Sequence, residues 1–335
     1  PTPLPATSQP TAGPIGPDGY PAGFNPFTGL AAAPEALAVV PAAIKISNFP
    51  AQGRPHAGLS YADLVYEYFI GVGMTRFLAI FYGEDALLAG PIRSGRVVDG
   101  YLVRMYGAVL GMKGADAHVG SRLHAALPGR VFNATSSLCP ALCPYTTSHT
   151  YGTFSDTGAF RAYAEAQGAA PDAPDRRGMR FDATAPETGD PAARLWIFYA
   201  LLNQVEWQYD EIGGAYLRWQ DNADGVLRPM PDRLTGETLA FENVVVLFAE
   251  HEFETPTIIE MDLSVGRSGP ALALRDGRMI RLTWNAPRAD SPLRFSGPGG
   301  EPFPFKPGST WFEIVGLPSL VEEIEPGSWK VRFYP

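Results

Sequence analysis

Short runs of β-branched and aromatic residues recur along this sequence, and turn residues separate one run from the next. Residues 64–70 and 75–82 are two such runs in the first half, and Gly71-Val-Gly-Met lies between them. Runs of this kind joined by a glycine-containing turn are typical of a β-hairpin. We therefore predict two adjacent antiparallel strands here, preceded by strand-like runs at residues 36–40 and 43–47.

Helical and strand patterns alternate after this hairpin, whereas the second half shows strand patterns. Residues 96–105 and the alanine-rich residues 155–167 predict helices, with a strand at residues 109–113. The runs of the second half, which turn residues separate, are at 205–209, 215–219, 244–248, 257–261, 271–274, 279–284 and 310–315. The predicted fold class is an α/β N-terminal domain with a mixed or antiparallel sheet, followed by a mainly β C-terminal domain.

The chain has 335 residues, which is longer than most single domains, so we expect two. Proline, glycine and aspartate concentrate at residues 169–192, which is the best internal boundary. The Pro/Thr-rich residues 1–23 have no hydrophobic periodicity and predict a disordered stalk, with a cloning remnant as the alternative. The predicted domains are residues 24–180 and 193–335.

Charge and hydrophobicity exclude two classes of protein. The 35 acidic and 26 basic side chains give a formal net charge of −9, which does not suggest nucleic-acid binding. Four of the basic residues are lysines and the rest are arginines. A GC-rich genome explains that excess, although arginine also suits bidentate binding of carboxylate or phosphate. No apolar run reaches the length of about 18 to 20 residues that a membrane-spanning helix needs.

The sequence contains two cysteines, Cys139 and Cys143, in Leu-Cys-Pro-Ala-Leu-Cys-Pro. Three interpretations stay open: a short-loop disulfide in an exported protein, two reduced thiols, or half of a metal site completed by a histidine such as His149. The prolines indicate an irregular loop, and the stalk suggests an oxidising compartment, so Cys139 and Cys143 are a disulfide candidate.

Several longer motifs are similar to those of a known family. They are Gly58-Leu-Ser-Tyr-Ala-Asp-Leu-Val-Tyr-Glu, Gly73-Met-Thr-Arg-Phe-Leu-Ala-Ile-Phe, Gly90-Pro-Ile-Arg-Ser-Gly-Arg, Tyr216-Leu-Arg-Trp, Glu242-Asn-Val-Val-Val and Lys306-Pro-Gly-Ser-Thr-Trp. Together they resemble the YerB-like family of bacterial lipoproteins, a domain of unknown function with N-terminal and C-terminal parts. The resemblance covers about residues 25–317 and implies a lipid-anchored, extracytoplasmic protein of the cell envelope. Residues 114–118 and the cysteine loop depart from the family pattern.

Three arginines carry the candidate chemistry. Strand alternation places Arg76 on the same face as apolar residues, so its charge needs a partner. Arg93 and Arg96 flank Ser94 in a loop ahead of a predicted helix, where backbone N–H groups and the helix dipole favour an anion. Our functional hypothesis is that Arg76, Arg93, Ser94 and Arg96 bind a phosphate or carboxylate group. His149, in a polar loop, is a further candidate, as an acid, a base or a hydrogen-bonding residue that fixes the loop.

A structural alternative assigns these arginines to internal ion pairs with Asp63 and Glu67. Glu67 lies on the strand predicted to neighbour that of Arg76, and a buried charge needs such compensation. The aromatic residues of the second half likewise have two interpretations, which are stacking on sugars and core packing. They are Trp196, Trp207, Tyr209, Tyr216, Trp219, Trp284 and Trp311.

Metal and cofactor motifs are not evident. His118 and His124 are six residues apart, which does not place both on one helical face, and alternation separates His251 from the acid beside it. Residues 221–225 lack the offsets of a calcium loop. Because nucleotide-binding loops and nucleophile elbows are also missing, we predict neither a metal nor a cofactor.

These observations predict an accessory protein of the cell envelope, lipid-anchored or secreted, without enzymatic activity. Its expected partner is an anionic wall or lipid component or an envelope protein, bound through the first domain, and it would meet the membrane through a lipid anchor outside this sequence. The alternative is an enzyme acting on phosphorylated envelope intermediates. It rests on a loose likeness to the LytR-CpsA-Psr phosphotransferases, in which arginines after a strand hairpin contact a lipid pyrophosphate.

Overall fold

The computed structural model describes residues 13–148, 150–169 and 176–335. Its helices are α1 (Pro34–Leu37), α2 (Val97–Met105), α3 (Ala117–Ala126) and α4 (Thr157–Ala166). The strands of the first half are β1 (Ala42–Ser47), β2 (Leu64–Gly71), β3 (Met74–Phe81), β4 (Val109–Met112), β5 (Val131–Asn133), β6 (Cys143–Pro144), β7 (Thr153–Phe154) and β8 (Arg180–Phe181).

The second half consists of strands joined by turns. They are β9 (Asp190–Pro191), β10 (Arg194–Ala200), β11 (Asn203–Asp210), β12 (Ala215–Asp221), β13 (Leu227–Pro229), β14 (Ala240–Phe241), β15 (Asn243–Ala249), β16 (His251–Thr255), β17 (Ile258–Met261), β18 (Ser268–Arg275), β19 (Arg278–Asn285), β20 (Arg294–Ser296), β21 (Pro304–Phe305), β22 (Thr310–Gly316), β23 (Leu320–Glu325) and β24 (Ser328–Arg332). Helices in the first half and strands in the second confirm the predicted fold class.

One sheet of 11 strands runs through both halves of the chain, in the order β20-β19-β18-β15-β22-β2-β3-β1-β4-β5, with β9 on β19. Strand β22, near the end of the chain, lies between β15 and β2 and is parallel to both. The sheet therefore crosses the boundary that we predicted from the turn-rich residues 169–192, and strands from both predicted domains are hydrogen-bonded neighbours.

A second sheet of seven strands has the order β13-β12-β11-β10-β24-β23, with β14 on β12. Trp207 on β11 meets Trp311 on β22 with ring centroids 5.4 Å apart, and Phe241 packs 5.2 Å from Trp311. Aromatic pairs at this spacing add to the free energy of burial. These rings join the two sheets, and the buried apolar side chains form one contiguous core across them.

The predicted hairpin of the first half is confirmed, with Gly71 paired to Met74 at the turn. The helices expected at 96–105 and 155–167 are α2 and α4. The prediction of a strand at residues 36–40 is wrong, because Pro34 starts the short helix α1, which extends to Leu37. Proline suits the first turn of a helix, where its missing N–H has no partner to lose. Helix α3 was not predicted.

The predicted stalk lies partly outside the described residues, which begin at residue 13. Its remainder contacts the folded protein. Ile15 is buried and exchanges backbone hydrogen bonds of 2.9 and 2.8 Å with Phe181, and the Tyr20 hydroxyl donates to the Met179 carbonyl. Residues 13–23 therefore belong to the folded body. Of the helices within the described residues, none is both long enough and apolar enough to pass through a bilayer.

Candidate functional site

The candidate site lies at the carboxyl ends of β1, β4 and β5, which are parallel neighbours in the large sheet. We call this end of the sheet the carboxyl edge. Ser47 ends β1, and Arg76 on β3 is its cross-strand partner. The segment that carries Arg93 runs between β1 and β4, because its N–H donates to the Lys45 carbonyl at 2.9 Å and its carbonyl accepts from the Lys113 N–H at 3.0 Å. The carboxyl edge of parallel strands is the usual place for a ligand in such sheets.

Arg76 is nearly enclosed at this edge. Its side chain is 6% exposed, and its Nη1 donates to the Ser94 carbonyl at 2.7 Å. Its Nε is buried without a hydrogen-bond partner in the described structure. Burial, together with the charges of Arg96 and Arg93, lowers the pKa of Arg76 to about 9. The protein therefore holds this cation at an electrostatic cost.

Arg96 caps the start of α2. Its N–H donates to Asp99 Oδ2 at 2.7 Å, and its Nη1 donates to the Gly95 carbonyl at 2.9 Å. The Nε atoms of Arg96 and of the half-buried Arg93 are also buried without partners among the described residues. Burial lowers the pKa of both side chains. The start of α2, a helix of nine residues, adds the positive end of its dipole.

Beneath these arginines lies a fully buried group that the sequence analysis missed. The Lys45 Nζ contacts the Tyr68 hydroxyl and lies 3.4 Å from Asp99 Oδ1, to which Tyr68 also donates. Burial lowers the pKa of Lys45 to about 7, Asp99 opposes the change, and the charges of Arg76 and Arg96 add to it. A signal existed, since a lysine within the apolar run at 43–47 is as unusual as an arginine in β3.

Positive charge therefore exceeds negative charge at this edge. Asp99 acts on Lys45, Arg76 and Arg96, and Asp116 acts on Arg96 from the start of α3. Arg93 and Lys113 add two further cations close to each other. Lys113 donates to Thr153 Oγ1 at 3.0 Å, and burial and Arg93 lower its pKa. In the described part of the chain, Arg76, Arg93 and Arg96 form no ion pair with a carboxylate. The arrangement suits an anion with several acceptor oxygens.

The two acids expected to neutralise these arginines lie elsewhere. Glu67 pairs with Arg218 at 2.6 Å, and Asp63 accepts backbone N–H groups of Tyr82 and Gly83. The expected pairing with Arg76 was wrong because Arg76 faces Tyr68 across the hairpin. Since side chains alternate along a strand, Glu67 points to the opposite face of the sheet.

The remaining candidates are scattered. His149 lies outside the described residues. The structure has a disulfide between Cys139 and Cys143, whose Cα atoms are 4.6 Å apart. His118 lies 3.1 Å from Glu254, and His251 Nδ1 lies 3.0 Å from the Ala249 carbonyl oxygen. Within the described ranges, no three histidine, cysteine or acidic side chains are arranged to hold a metal ion.

The aromatic side chains of the second half differ in burial. Trp207, Tyr216, Trp284 and Trp311 are fully buried in the core, which favours the packing interpretation for them. The others are partly buried, and they are Trp196, Tyr209 and Trp219. The site at the carboxyl edge therefore remains the best-defined group of polar side chains that the fold brings together.

The fold is β-rich, with two joined sheets and with helices in the first half of the chain. The candidate anion site lies in the α/β part. The chain belongs to the family described as "Protein of unknown function (DUF3048)". Its N-terminal domain matches residues 27–169, and its C-terminal domain matches residues 196–312.

A similar protein from Bacillus subtilis (strain 168) carries the name "Putative lipoprotein YerB" and is 25% identical over 307 residues. The match covers 87% of this chain and 85% of that protein. The crystal structure of the YerB protein from Bacillus subtilis is also similar, with a TM-score of 0.71 at 25% identity. This structural match covers 87% of this chain and 96% of the chain in the YerB crystal structure. The predicted family membership is confirmed.

Proposed function

We propose that this protein is an accessory lipoprotein outside the cytoplasmic membrane that binds an anionic wall or lipid component at the carboxyl edge of β1, β4 and β5. The name of the Bacillus relative supports the lipid anchor. The disulfide between Cys139 and Cys143 supports an oxidising compartment, because such bonds are rare in the reducing cytosol. The bound group carries phosphate or carboxylate oxygens.

One observation carries the proposal, which is that three arginines have buried Nε–H donors for which the described residues supply no acceptor. They are Arg76, Arg93 and Arg96. A buried donor left without an acceptor costs about 1 to 3 kcal/mol, so an arriving anion with several oxygens removes part of this cost. Charge-assisted hydrogen bonds from guanidinium groups are also stronger than neutral ones.

Binding is favoured over phosphoryl transfer by the state of Asp99. This carboxylate is fully buried, and it accepts hydrogen bonds from Tyr68, the Arg96 N–H and Lys45. A carboxylate held by these hydrogen bonds orients the cations around it. Turnover of a phosphorylated intermediate is nonetheless measured in the experiment below, since the same arginines would serve an enzyme.

The test is thermal unfolding of the full chain with phosphate, pyrophosphate, an undecaprenyl-phosphate analogue or muropeptides, at constant ionic strength. A ligand at 100 times its Kd stabilises the folded state by about 2.7 kcal/mol. We expect a rise in Tm for at least one of these anions, lost in Arg93→Gln with Arg96→Gln. Arg281→Gln is the matched control, because Arg281 is exposed on β19 and pairs with Asp190.

Three outcomes are informative. A shift that the double variant loses and the control keeps supports the site. The proposed site is contradicted if no ligand raises the Tm, or if a ligand raises it equally in the double variant and in Arg281→Gln. A protein partner is then the better explanation. Release of inorganic phosphate from the lipid analogue, lost in the double variant, would replace binding by the enzymatic alternative.

A further inference from the structure

Three hairpin turns at one end of the sheets carry exposed aliphatic side chains. Strands β2 and β3 are joined at Val72, β10 and β11 at Leu201 and Leu202, and β12 and β13 by a loop that ends in Val226. Val72 and Leu201 are each 73% exposed, Leu202 is 50% exposed and Val226 is 52% exposed. We call these four side chains the aliphatic tip.

Buried polar groups hold the three turns together. The Asn203 side-chain amide donates to the Gly73 carbonyl at 3.1 Å, which joins the first turn to the second. The Gln204 and Gly225 N–H groups donate to the Asp221 carboxylate at 3.0 and 3.1 Å, which joins the second to the third. Because Asn203 and Asp221 are fully buried, water does not compete for these hydrogen bonds, and the three turns are held side by side.

Two of these turns place aliphatic residues at positions that folding alone does not favour, whereas the third, Asn222-Ala-Asp-Gly225, has ordinary turn residues. Two-residue hairpin turns usually contain glycine, asparagine or aspartate, whereas Leu201 and Leu202 fill the turn between the paired Ala200 and Asn203. Val72 has a φ of 53°, in the left-handed region where a β-branched side chain is an outlier. Strained backbone of this kind points to a role beyond folding.

We propose that the aliphatic tip enters the surface of the bilayer to which the protein is tethered. The exposed apolar side chains of the three turns are all aliphatic, whereas the centres of protein interfaces are enriched in aromatic residues and methionine. The third turn also carries an exposed ion pair of Asp224 with Arg228 at 2.9 Å, which would stay among the lipid head groups. Aliphatic side chains at projecting turns can pass between lipid head groups without a large flat contact. With a net charge of −9, the protein gains this contact through apolar burial.

The position of the tip has a consequence for the anion site, although the proposal does not rest on that site. Val72 follows the carboxyl end of β2, and β2 runs in the same direction as β1 because each is antiparallel to β3. Arg76 is four residues beyond Val72, or about 13 Å along an extended strand. A protein docked by its tip would therefore turn the cation-rich edge toward the lipid surface.

The first experiment places a fluorescent reporter on the tip. The two cysteines of the chain are already bonded to each other, so a single introduced cysteine accepts an NBD label selectively. Label is placed at Val72→Cys, at Leu201→Cys and, as the control, at Ile212→Cys. Ile212 is 99% exposed in the turn at the opposite end of β11. Phosphatidylcholine vesicles are the probe.

We expect the NBD emission to shift to shorter wavelength and gain intensity at positions 72 and 201, but not at 212, and to do so at high salt as well. Unchanged spectra at both tip positions, or the same change at all three, overturn the proposal.

A second measurement separates insertion from an effect of the label. The variant Val72→Asn with Leu201→Ser and Leu202→Ser should lose at least tenfold in vesicle partitioning, with Ile212→Ser unchanged. Asparagine tolerates the backbone of Val72, so this variant should fold. Partitioning equal to that of the wild type refutes the proposal. Arg93→Gln with Arg96→Gln should keep the NBD response, which separates this test from that of the anion site.

Discussion

Glu313 and Glu67 share one guanidinium group, that of Arg218, in a fully buried cluster between the two sheets. Arg218 Nη1 lies 3.0 Å from Glu313, and Nη2 lies 2.6 Å from Glu67. Trp207 and Tyr199 donate to Glu313 at 3.0 and 2.9 Å. Burial, together with the charge of Glu67, raises the pKa of Glu313 to about 8. One guanidinium cannot fully offset two buried carboxylates, so the pair of Glu313 and Glu67 retains a proton in the folded protein.

The raised pKa predicts a stability that depends on pH. The folded protein keeps this proton up to about pH 8, whereas the unfolded chain releases it near the ordinary value of 4.5. Between these values unfolding releases the proton, so the free energy of unfolding falls as pH rises. One proton corresponds to at most about 1.4 kcal/mol per pH unit, or roughly 2 to 3 kcal/mol between pH 5 and pH 7.

The variant Glu313→Gln tests this reasoning, because glutamine keeps the shape of the side chain and does not titrate. We expect the stability of the variant relative to the wild type to increase by about 1 kcal/mol or more per pH unit in urea unfolding at pH 5, 6 and 7. Asp63, whose pKa burial raises to about 7, titrates in both proteins and cancels in the difference. Glu322→Gln on the exposed face of β23 is the control. A difference that does not change with pH refutes the reasoning.

Three further predictions concern single features of the fold. Asp232→Ala removes a buried carboxylate that accepts three backbone N–H groups, and it should lower the free energy of unfolding by about 3 kcal/mol in urea titrations, with Asp232→Asn less affected. Replacing both Cys139 and Cys143 by serine should cost about 2 kcal/mol in the same assay, from the entropy of the opened loop. Because the pKa of Lys45 is lowered to about 7, affinity for sulfate should fall between pH 6 and pH 8, and Lys45→Met should lose this dependence in a calorimetric titration; an equal dependence in both proteins would exclude Lys45 as its cause.

Local signals identified most elements of the fold, and they failed where position depends on distant residues. The β2–β3 hairpin follows from two strand-like runs and the glycine turn between them. Strand β22 was also recognised as a strand, but its place between β2 and β15 was not predictable. No local pattern encodes the pairing of strands that are far apart in the sequence, so the two predicted domains were separated at a boundary that the sheet crosses.

The candidate site shows the same division. Arg76, Arg93 and Arg96 stood out because a charged residue in an apolar strand, or at the start of a helix, is unusual by itself. Tyr68 and Asp99 gave no such signal, since a tyrosine in a strand and an aspartate in the first turn of a helix are both ordinary. Their role follows from the register of β2 on β3 and from the side of α2 that faces the sheet.

In the part of the chain that the structure describes, other buried arginines have carboxylate partners, in contrast to the arginines of the carboxyl edge. Arg218 is fully buried between two carboxylates, and Arg275 is fully buried with Asp276 at 2.7 Å. In these two cases the fold supplies a carboxylate to the buried arginine, as the cost of burying a charge requires. At the carboxyl edge, Arg76 is almost as deeply buried, yet the neighbouring charges that act on it most are those of Arg96 and Arg93. Water can satisfy guanidinium N–H groups but carries no charge. This excess of positive charge is the physical basis of the proposed anion site.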